Sequence, residues 1–333
     1  MCKSYWKDKV VIVTGGAGFL GTYVMAELLL RGLDKENVVI PRSTELDLTR
    51  ADAVGQLFQK VSNIANGRKI IVIHLAAQVG GIGANRDNPG KFYYDNLMMG
   101  THLIEFSRQV GVERFVCLGT VCAYPKYAKV PFNEDDLWNG YPEETNAPYG
   151  IAKKALLVQL QAYAQQYNFP GVYLLPVNLY GPGDNFDLNS SHVIPALIRK
   201  CVEAKAQNSK YIEVWGTGSA SREFLYVLDC AKAIGLACEV PLEKFSAPAP
   251  QYVQPLNLGT SQEITIHDLV TMIAALTGFQ GEIRWDKSKP DGQPRRCLDT
   301  TKALLRLNWK ATTTLQSGLK ETIQWYINSA PKL

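Results

Sequence analysis

The sequence lacks the features of a membrane protein or a nucleic-acid-binding protein. No apolar run reaches the roughly 18 residues that a membrane-spanning helix requires. Charges nearly balance, with 35 Lys and Arg against 31 Asp and Glu, so the 333 residues carry a net charge of +4. Nucleic-acid-binding domains instead concentrate basic residues on one face. We therefore expect no binding to membranes or nucleic acids.

Cysteine pairs and metal-ligand patterns are also missing. The seven cysteines are scattered, with no Cys-x-x-Cys pair and no histidine at the spacing of a metal site. The polar residues 1–9 lead directly into a strand-like run instead of a secretory signal. These features predict reduced thiols, no metal and a cytoplasmic location.

The sequence does have ample apolar material for a core, because 46% of its residues are hydrophobic. Short apolar runs alternate with helical patterns through the first half of the chain. The predicted strands are 10–13, 38–40, 70–73, 114–118 and 172–176, and the predicted helices are 19–30, 96–108 and 149–167. Continuous apolar strands that alternate with helices indicate a parallel sheet covered on both faces. We predict an α/β fold with a Rossmann-type, doubly wound parallel sheet.

The pattern changes after Asn178. Residues 180–191 are rich in Gly, Pro, Asn and Asp, which predicts a loop. A helix over 192–204 and short strands at 212–215, 256–258 and 283–285 are predicted to follow. We therefore expect a smaller C-terminal lobe that is interleaved with the sheet domain. The sheet domain would comprise residues 1–178 with a returning segment around 223–260, and the lobe residues 179–222 and 261–333.

A glycine-rich turn follows the first predicted strand. Gly15 permits a tight turn, Gly18 lets the backbone approach a pyrophosphate, and Gly21 lets the helix pack on the strand. The N–H groups of the first helical residues, Phe19 and Leu20, would face the phosphates at the positive end of the helix dipole. Such a turn can also be purely geometric, but its place in a strand–turn–helix unit predicts a bound dinucleotide.

The end of the second predicted strand bears on the choice of dinucleotide. NAD-binding proteins usually carry Asp or Glu there, whereas Arg suits a 2′-phosphate. Here Arg42 follows the strand, and no acidic residue lies between the end of the strand and Glu45. This order favours NADP over NAD, which stays possible, although Arg42 could be an ordinary surface cation. Further residues expected around the cofactor are Asp47, Leu48, Ala76 and Ala77.

Tyr149 and Lys153 lie four residues apart at the start of a predicted helix and therefore share one face. We expect Lys153 to hold the nicotinamide ribose and to lower the pKa of Tyr149, so that the phenol exchanges a proton with a carbonyl. Thr120, after the fourth predicted strand, could bond the same carbonyl oxygen. This triad resembles that of the extended short-chain dehydrogenase/reductase family.

Longer strings narrow the resemblance. Residues 118–126 (Leu-Gly-Thr-Val-Cys-Ala-Tyr-Pro-Lys) resemble a segment of the GDP-L-fucose synthase family, the GDP-4-keto-6-deoxymannose 3,5-epimerase/4-reductases. The other similar strings are 80–85, 178–182, 191–197, 215–216, 222–225 and 288–295. Thr120 stands where many members have Ser, which keeps the hydroxyl. The resemblance extends over nearly the whole chain.

The resemblance implies an enzyme that epimerises C3 and C5 of GDP-4-keto-6-deoxy-D-mannose and reduces C4 with NADPH, giving GDP-L-fucose. It implies that Cys122 and His192 exchange protons with the sugar, since a thiol and an imidazole both titrate close to neutral pH. Which of the two is the base at each carbon stays open. Without the resemblance, Cys122 would be ordinary core filler and His192 an ordinary helix-start residue. A homodimer is implied as well.

The resemblance further implies a GDP-sugar site. The implied binding residues are Asn178, Val193, Lys200, Trp215, Arg222 and Lys289. The cations would bind the diphosphate and Trp215 would border the guanine, although each cation could instead be a solvated surface residue. Two other functions stay open: a different NAD(P)-dependent nucleotide-sugar epimerase or 4-keto-reductase, and a non-catalytic dinucleotide-sensing protein.

Overall fold

A computed structural model describes residues 5–245, 253–289 and 291–329. The strands in these residues are β1 (Lys9–Thr14), β2 (Val38–Val39), β3 (Lys69–His74), β4 (Arg114–Leu118), β5 (Gly171–Pro176), β6 (Asn178–Tyr180), β7 (Tyr211–Trp215), β8 (Ser221–Tyr226), β9 (Pro255–Leu258), β10 (Glu263–Thr265) and β11 (Glu282–Asp286). The α-helices are α1 (Phe19–Leu30), α2 (Ala51–Ala65), α3 (Ile82–Asp87), α4 (Pro89–Val110), α5 (Ala147–Tyr167), α6 (Val193–Ala206), α7 (Val227–Glu239), α8 (Ile266–Thr277), α9 (Thr301–Leu307) and α10 (Leu315–Ser329). The ends of the two expected domains, residues 1–4 and 330–333, lie outside the described residues.

The largest sheet has six parallel strands in the order β2-β1-β3-β4-β5-β9. β1 pairs with β3 along its whole length, from Lys9 opposite Lys69 to Thr14 opposite His74. This sheet confirms the predicted fold class. Because all six strands run the same way, their carboxyl ends meet at one edge, where open α/β sheets bind their ligands.

Helices cover both faces of this sheet. α1 packs against α7 on one face, and α4 packs between α2 and α5 on the other. Gly100 of α4 lies directly against Leu156 of α5, so the two helices approach closely. The strand residues between the helix layers are fully buried, Val11 and Ile71 among them. Burial of each such side chain stabilises the fold by about 1.5–3 kcal/mol, which explains the continuous apolar runs.

Most predicted elements are present with shifted ends. The predicted helix over 96–108 is longer, as α4, because Pro89 occupies its first turn and Gly111 ends it with φ +68°. The strand predicted at 38–40 ends at Val39, since only Val38 and Val39 pair with β1. The sequence patterns predicted no element over 51–65, where the structure has α2.

A second, smaller core lies beside the sheet. It is formed mainly by α6, α8 and α10 with a three-stranded sheet, β10-β8-β6, and a two-stranded sheet, β11-β7. The chain enters this region at β6, returns to the large sheet with α7 and β9, and leaves it again at β10. Within the described ranges, every helix is too short or too polar to span a bilayer.

Candidate active site

The turn between β1 and α1 has the geometry of a dinucleotide-binding loop. Gly15 adopts φ +71°, and a Cβ there would lie 2.9 Å from the backbone nitrogen of Ala76. A Cβ on Gly21 would collide with the backbone of Gly15 and Gly16. No side chain caps the N-terminus of α1, so its first N–H groups stay available to an anion. These residues fit a pyrophosphate.

A buried contact joins the two strands beside this turn. His74 Nδ1 lies 2.8 Å from Thr14 Oγ1, and the Ala76 N–H donates to the same oxygen at 3.3 Å. Burial lowers the pKa of His74 well below its usual value, so the ring is neutral. This contact holds the backbone of Ala76 next to the glycine turn.

One cavity of about 1340 Å³ runs from the glycine turn, along the carboxyl edge of the sheet, to the smaller core. All but one of the predicted site residues lie on its wall: Gly15, Gly18, Phe19, Leu20, Gly21, Arg42, Asp47, Leu48, Ala76, Ala77, Thr120, Cys122, Tyr149, Lys153, Asn178, His192, Val193, Lys200, Trp215 and Arg222. The other is Lys289, whose ammonium lies 5.3 Å from the centre of the Trp215 ring and not on the cavity wall.

Arg42 and Asp47 mark the end of the cavity beside α1. Arg42 forms no ion pair with any described residue, so its guanidinium is free to meet an anion. The Asp47 carboxylate accepts hydrogen bonds from the backbone and hydroxyl of Thr49, at 2.9 and 2.7 Å, which lower the pKa of Asp47. Asp47 therefore closes its own turn before α2, and the cation is the unpaired charge here.

The hydroxyl triad lies where β4 and α5 meet the cavity. Thr120 follows β4, and its hydroxyl is close enough to Tyr149, in the first turn of α5, to act on the pKa of that phenol. Lys153, one turn further, is almost fully buried at 1% exposure. Burial lowers the pKa of Lys153 and raises the pKa of Tyr149. The expectation that Lys153 lowers the pKa of Tyr149 was wrong for the protein alone, because withdrawal of the phenol from water dominates.

Cys122 lies in a short 3₁₀ turn, Val121–Ala123, directly after Thr120. His192 precedes the first residue of α6 and belongs to the same cavity wall. Its ring is accessible from the cavity, yet the protein around it lowers the pKa of His192, first by desolvation and then through the charge of Arg296. A thiol and a neutral imidazole thus meet the same space as the Tyr149 hydroxyl.

The smaller lobe contributes cations to the far end of the cavity. Arg222 donates to the carbonyl oxygens of Ser221 and Asp291 at 2.7 and 2.9 Å. Burial and the neighbouring Arg296 lower the pKa of Arg222 to about 10. Lys200 donates to the carbonyl oxygen of Glu213 at 2.8 Å, and burial lowers its pKa. Within the described part of the chain, the hydrogen bonds of both side chains go to backbone carbonyl oxygens, which leaves their charge for an anionic ligand.

Comparison with known families identifies the scaffold. Residues 11–247 match the model of the NAD dependent epimerase/dehydratase family. The chain belongs to this family. A probable GDP-L-fucose synthase 1 from rice, Oryza sativa subsp. japonica, is 39% identical over 329 residues, which is 98% of this chain and 95% of the relative.

Two solved structures of similar length share the fold of this epimerase/dehydratase. A GDP-6-OMe-4-keto-L-xylo-heptose reductase from C. jejuni has a TM-score of 0.87 at 29% identity, covering 97% of this chain and 99% of that one. A GDP-L-fucose synthetase from Naegleria fowleri bound to NADP has a TM-score of 0.81 at 29% identity, covering 96% and 94%. The similarity therefore extends through both the large sheet and the smaller lobe.

Asn146, Asp184 and Arg296 are among the wall residues of this family member that were not predicted from its sequence. Asn146 precedes α5 but does not cap it, so the usual reading of Asn before a helix gives no hint of its role. Asp184 has one buried carboxylate oxygen with no hydrogen-bond partner among the described residues, and burial raises the pKa of Asp184 to about 7. Arg296 directly follows the string 288–295 that resembles the family, and this position in the sequence could have indicated that Arg296 lies at the site.

Proposed function

We propose that the protein converts GDP-4-keto-6-deoxy-D-mannose into GDP-L-fucose by epimerising C3 and C5 and reducing C4 with NADPH. One observation carries this proposal: Cys122 and His192 lie on the wall of the same cavity as Thr120 and Tyr149. One keto-sugar in that cavity can therefore meet both a proton-exchanging pair and a carbonyl-binding pair. The curated rice relative, a probable GDP-L-fucose synthase, matches nearly the whole chain.

The glycine turn and Arg42 support NADP as the cofactor. The first amides of α1 would bind the pyrophosphate, Arg42 the 2′-phosphate, and Lys153 the ribose next to the nicotinamide. The similar Naegleria structure has NADP bound. When bound, NADPH supplies the hydride that reduces the C4 carbonyl. The residues of this chain must then bind the sugar, polarise its carbonyl and move its protons.

Epimerisation depends on the C4 carbonyl, which makes the hydrogens on C3 and C5 acidic. Tyr149 and Thr120 donate hydrogen bonds to O4 and stabilise the negative charge that develops when a C–H proton leaves. One of Cys122 and His192 accepts that proton, and the other returns a proton to the opposite face of the carbon. Each epimerisation is therefore proton-neutral and needs no oxidant or reductant.

Reduction uses the same carbonyl group. As the hydride reaches C4, Tyr149 donates its phenolic proton to O4, which gives the alcohol. Burial raises the pKa of Tyr149, so the proton is in place throughout the neutral range. The proton lost by Tyr149 is replaced from solvent before the next turnover.

The smaller lobe would hold the GDP part. Arg222 and Lys200 supply positive charge for the diphosphate, and Trp215, 53% exposed, offers a flat surface to the guanine. We propose that substrate binding lies in residues 179–222 and 261–333, and cofactor binding in residues 1–178 with the returning segment around 223–260. The separate smaller core, formed mainly by α6, α8 and α10, supports this division.

A plain 4-keto-reductase is the second candidate, because the similar C. jejuni structure is a GDP-4-keto-heptose reductase. One experiment separates the two. The protein is incubated with GDP-4-keto-6-deoxy-D-mannose and NADPH in deuterated water, and the product is analysed by NMR. GDP-L-fucose with deuterium at C3 and C5 supports the epimerase/reductase. A product reduced at C4 without deuterium at C3 or C5 would identify a reductase and refute the roles of Cys122 and His192.

We also propose that the protein works in the cytoplasm as a homodimer. The six described cysteines are free thiols. α4 and α5 both carry exposed apolar side chains, including Tyr94 at 55% and Val158 at 48% exposure, which a second copy could cover. Light scattering after gel filtration tests the dimer: a mass near 74 kDa, twice the 36.9 kDa chain, is expected, and 36.9 kDa would refute it.

A further inference from the structure

The sulfur of Cys122 has two side-chain neighbours of opposite character. It lies 3.8 Å from Asn146 Oδ1 and 3.6 Å from Arg296 Nη1. An amide oxygen accepts a hydrogen bond from a neutral thiol, whereas a guanidinium N–H donates one to a thiolate. Each protonation state of Cys122 therefore has its own partner.

Hydrogen bonds fix the direction in which Asn146 points. Its Nδ2 donates to Glu143 Oε2 at 2.6 Å, and the Thr145 hydroxyl donates to the same carboxylate oxygen, also at 2.6 Å. These bonds outweigh desolvation and lower the pKa of Glu143, so the carboxylate is charged and can only accept. The Asn146 nitrogen must face Glu143, and its oxygen must face Cys122.

Arg296 is held just as firmly. Its Nε and Nη2 both donate to Gln293 Oε1 at 3.2 Å. Gln293 Nε2 in turn donates to the carbonyl oxygen of Lys126 at 2.9 Å. Arg296 is only 7% exposed and forms no ion pair with any described residue. A buried cation without an anionic partner favours a negative charge beside it, and its remaining arm lies on Cys122.

Other charged or titratable groups also face this sulfur. Tyr149 of α5 and Arg222 of β8 interact with Cys122 electrostatically. His192, at the start of α6, lies near Arg296. The phenol is protonated and the imidazole neutral in the neutral range. The charged groups around Cys122 are therefore the two guanidinium groups and the Glu143 carboxylate, which accepts a hydrogen bond from Asn146 and interacts with Arg222. Of these, Arg296 is the one within hydrogen-bond reach.

We propose that Arg296 is a positioning residue that holds the thiolate form of Cys122, while Asn146 accepts the proton of the thiol form. An acid/base group must be protonated and deprotonated during one turnover. Asn146 and Arg296 give the thiol and the thiolate of Cys122 one fixed hydrogen-bond partner each. The catalytic meaning of the inference rests on the proposed function. The state of the thiol itself does not, and it can be measured without substrate.

The test is the rate at which iodoacetamide alkylates Cys122 between pH 5 and 10, followed by peptide mass spectrometry. Wild type is compared with Arg296→Gln, Arg296→Lys and Arg295→Gln. Loss of the charge in Arg296→Gln should raise the pH midpoint by about one unit, so alkylation at pH 7 is roughly tenfold slower. The alkylation midpoint of Arg296→Lys should lie between those of wild type and Arg296→Gln, because lysine keeps the charge but lacks the fork of guanidinium donors.

Arg295→Gln is the matched control. Arg295 is the neighbouring residue, but its side chain is 59% exposed and paired with Glu263 on the surface. The Arg295→Gln variant should therefore have the same alkylation midpoint as wild type. An NADPH affinity equal to that of wild type and a cooperative thermal transition verify that each variant is folded. If Arg296→Gln does not fold, the alkylation midpoint of Arg296→Lys decides.

An unchanged alkylation midpoint in a folded Arg296→Gln variant would overturn the inference. A raised KM for the GDP-sugar in that same variant would then make Arg296 a ligand of the substrate anion. A shifted midpoint in a protein that shows no turnover would support the inference and refute the proposed function. With turnover, the pH profile of deuterium uptake at C3 and C5 should shift in parallel.

Discussion

The two ends of the cavity are built in different ways. At the cofactor end, backbone atoms form the site: Gly15 and Gly21 bring a turn and a helix end close together within seven residues. At the sugar end, side chains from distant segments form the site, and Arg296 and Cys122 are separated by 174 positions. Substitutions at the cofactor end should therefore affect binding, whereas substitutions at the sugar end should affect proton transfer in an otherwise intact fold.

The largest expected effect is at the sugar end. Cys122→Ala and His192→Asn should each slow deuterium uptake at C3 and C5 by about 10²–10⁴-fold, the usual contribution of a positioned acid or base. NADPH affinity should stay within twofold of wild type. His267→Asn is the control, since His267 is exposed, lies off the cavity wall and contacts Asp268 and the ring of Trp285. Full exchange activity in both site variants would refute the proton-transfer roles.

At the cofactor end, Gly15→Ala should lower NADPH affinity at least tenfold and destabilise the fold by about 1–3 kcal/mol. The new Cβ would be strained at φ +71° and would press on the Ala76 backbone. Gly67→Ala is a matched control, because Gly67 also has a positive φ, +86°, but nothing lies within 4 Å of its Cβ position. Titration of NADPH fluorescence and urea unfolding measure both effects. Equal NADPH affinity in the two variants would contradict the close approach at this turn.

Arg42→Gln should have a smaller effect at the same end. NADPH binding should weaken about tenfold, because a charge-assisted bond to the 2′-phosphate contributes about 1.5–3 kcal/mol. NADH binding should not change. Arg50→Gln serves as the control, since Arg50 is an exposed cation paired with Asp52. If NADPH and NADH weaken equally in Arg42→Gln, Arg42 does not read the 2′-phosphate.

The smallest expected effect is the pH dependence of reduction. Burial raises the pKa of Tyr149 above its ordinary value of about 10, so the donating form is fully present below that pH and is lost only well above it. Single-turnover reduction of an already epimerised 4-keto-sugar should thus vary less than about threefold between pH 6 and 9. A tenfold fall per pH unit above 7 would instead show the lowered pKa that the sequence pattern predicts.

The same contrast decides how much the sequence could predict. Gly15, Gly18 and Gly21 form a local pattern, so the dinucleotide turn and the parallel sheet that carries it follow from spacing alone. Cys122 and His192 could be singled out only through resemblance to a family, because neither has a local signature. Neither a local sequence pattern nor the resemblance to a family singled out Asn146 and Arg296.

Tertiary structure adds two points that spacing along the chain does not contain. Lys289 lies over Trp215 and not on the cavity wall, and its role in substrate binding stays a prediction. The pKa of Tyr149 was expected to fall because Lys153 lies one turn away, but the burial that raises it arises from the packing of β4, β5 and α5. Spacing along a helix predicts which residues are neighbours, and burial is set by the rest of the fold.

The most direct test of the central claim is proton exchange in the absence of NADPH. The wild-type protein is incubated with GDP-4-keto-6-deoxy-D-mannose in deuterated water, and C3 and C5 of the recovered keto-sugar are examined by NMR. If the sugar end works independently of the cofactor end, both positions gain deuterium while C4 stays a ketone. A keto-sugar that keeps its hydrogen at both carbons, in protein that later reduces it on addition of NADPH, would contradict the account.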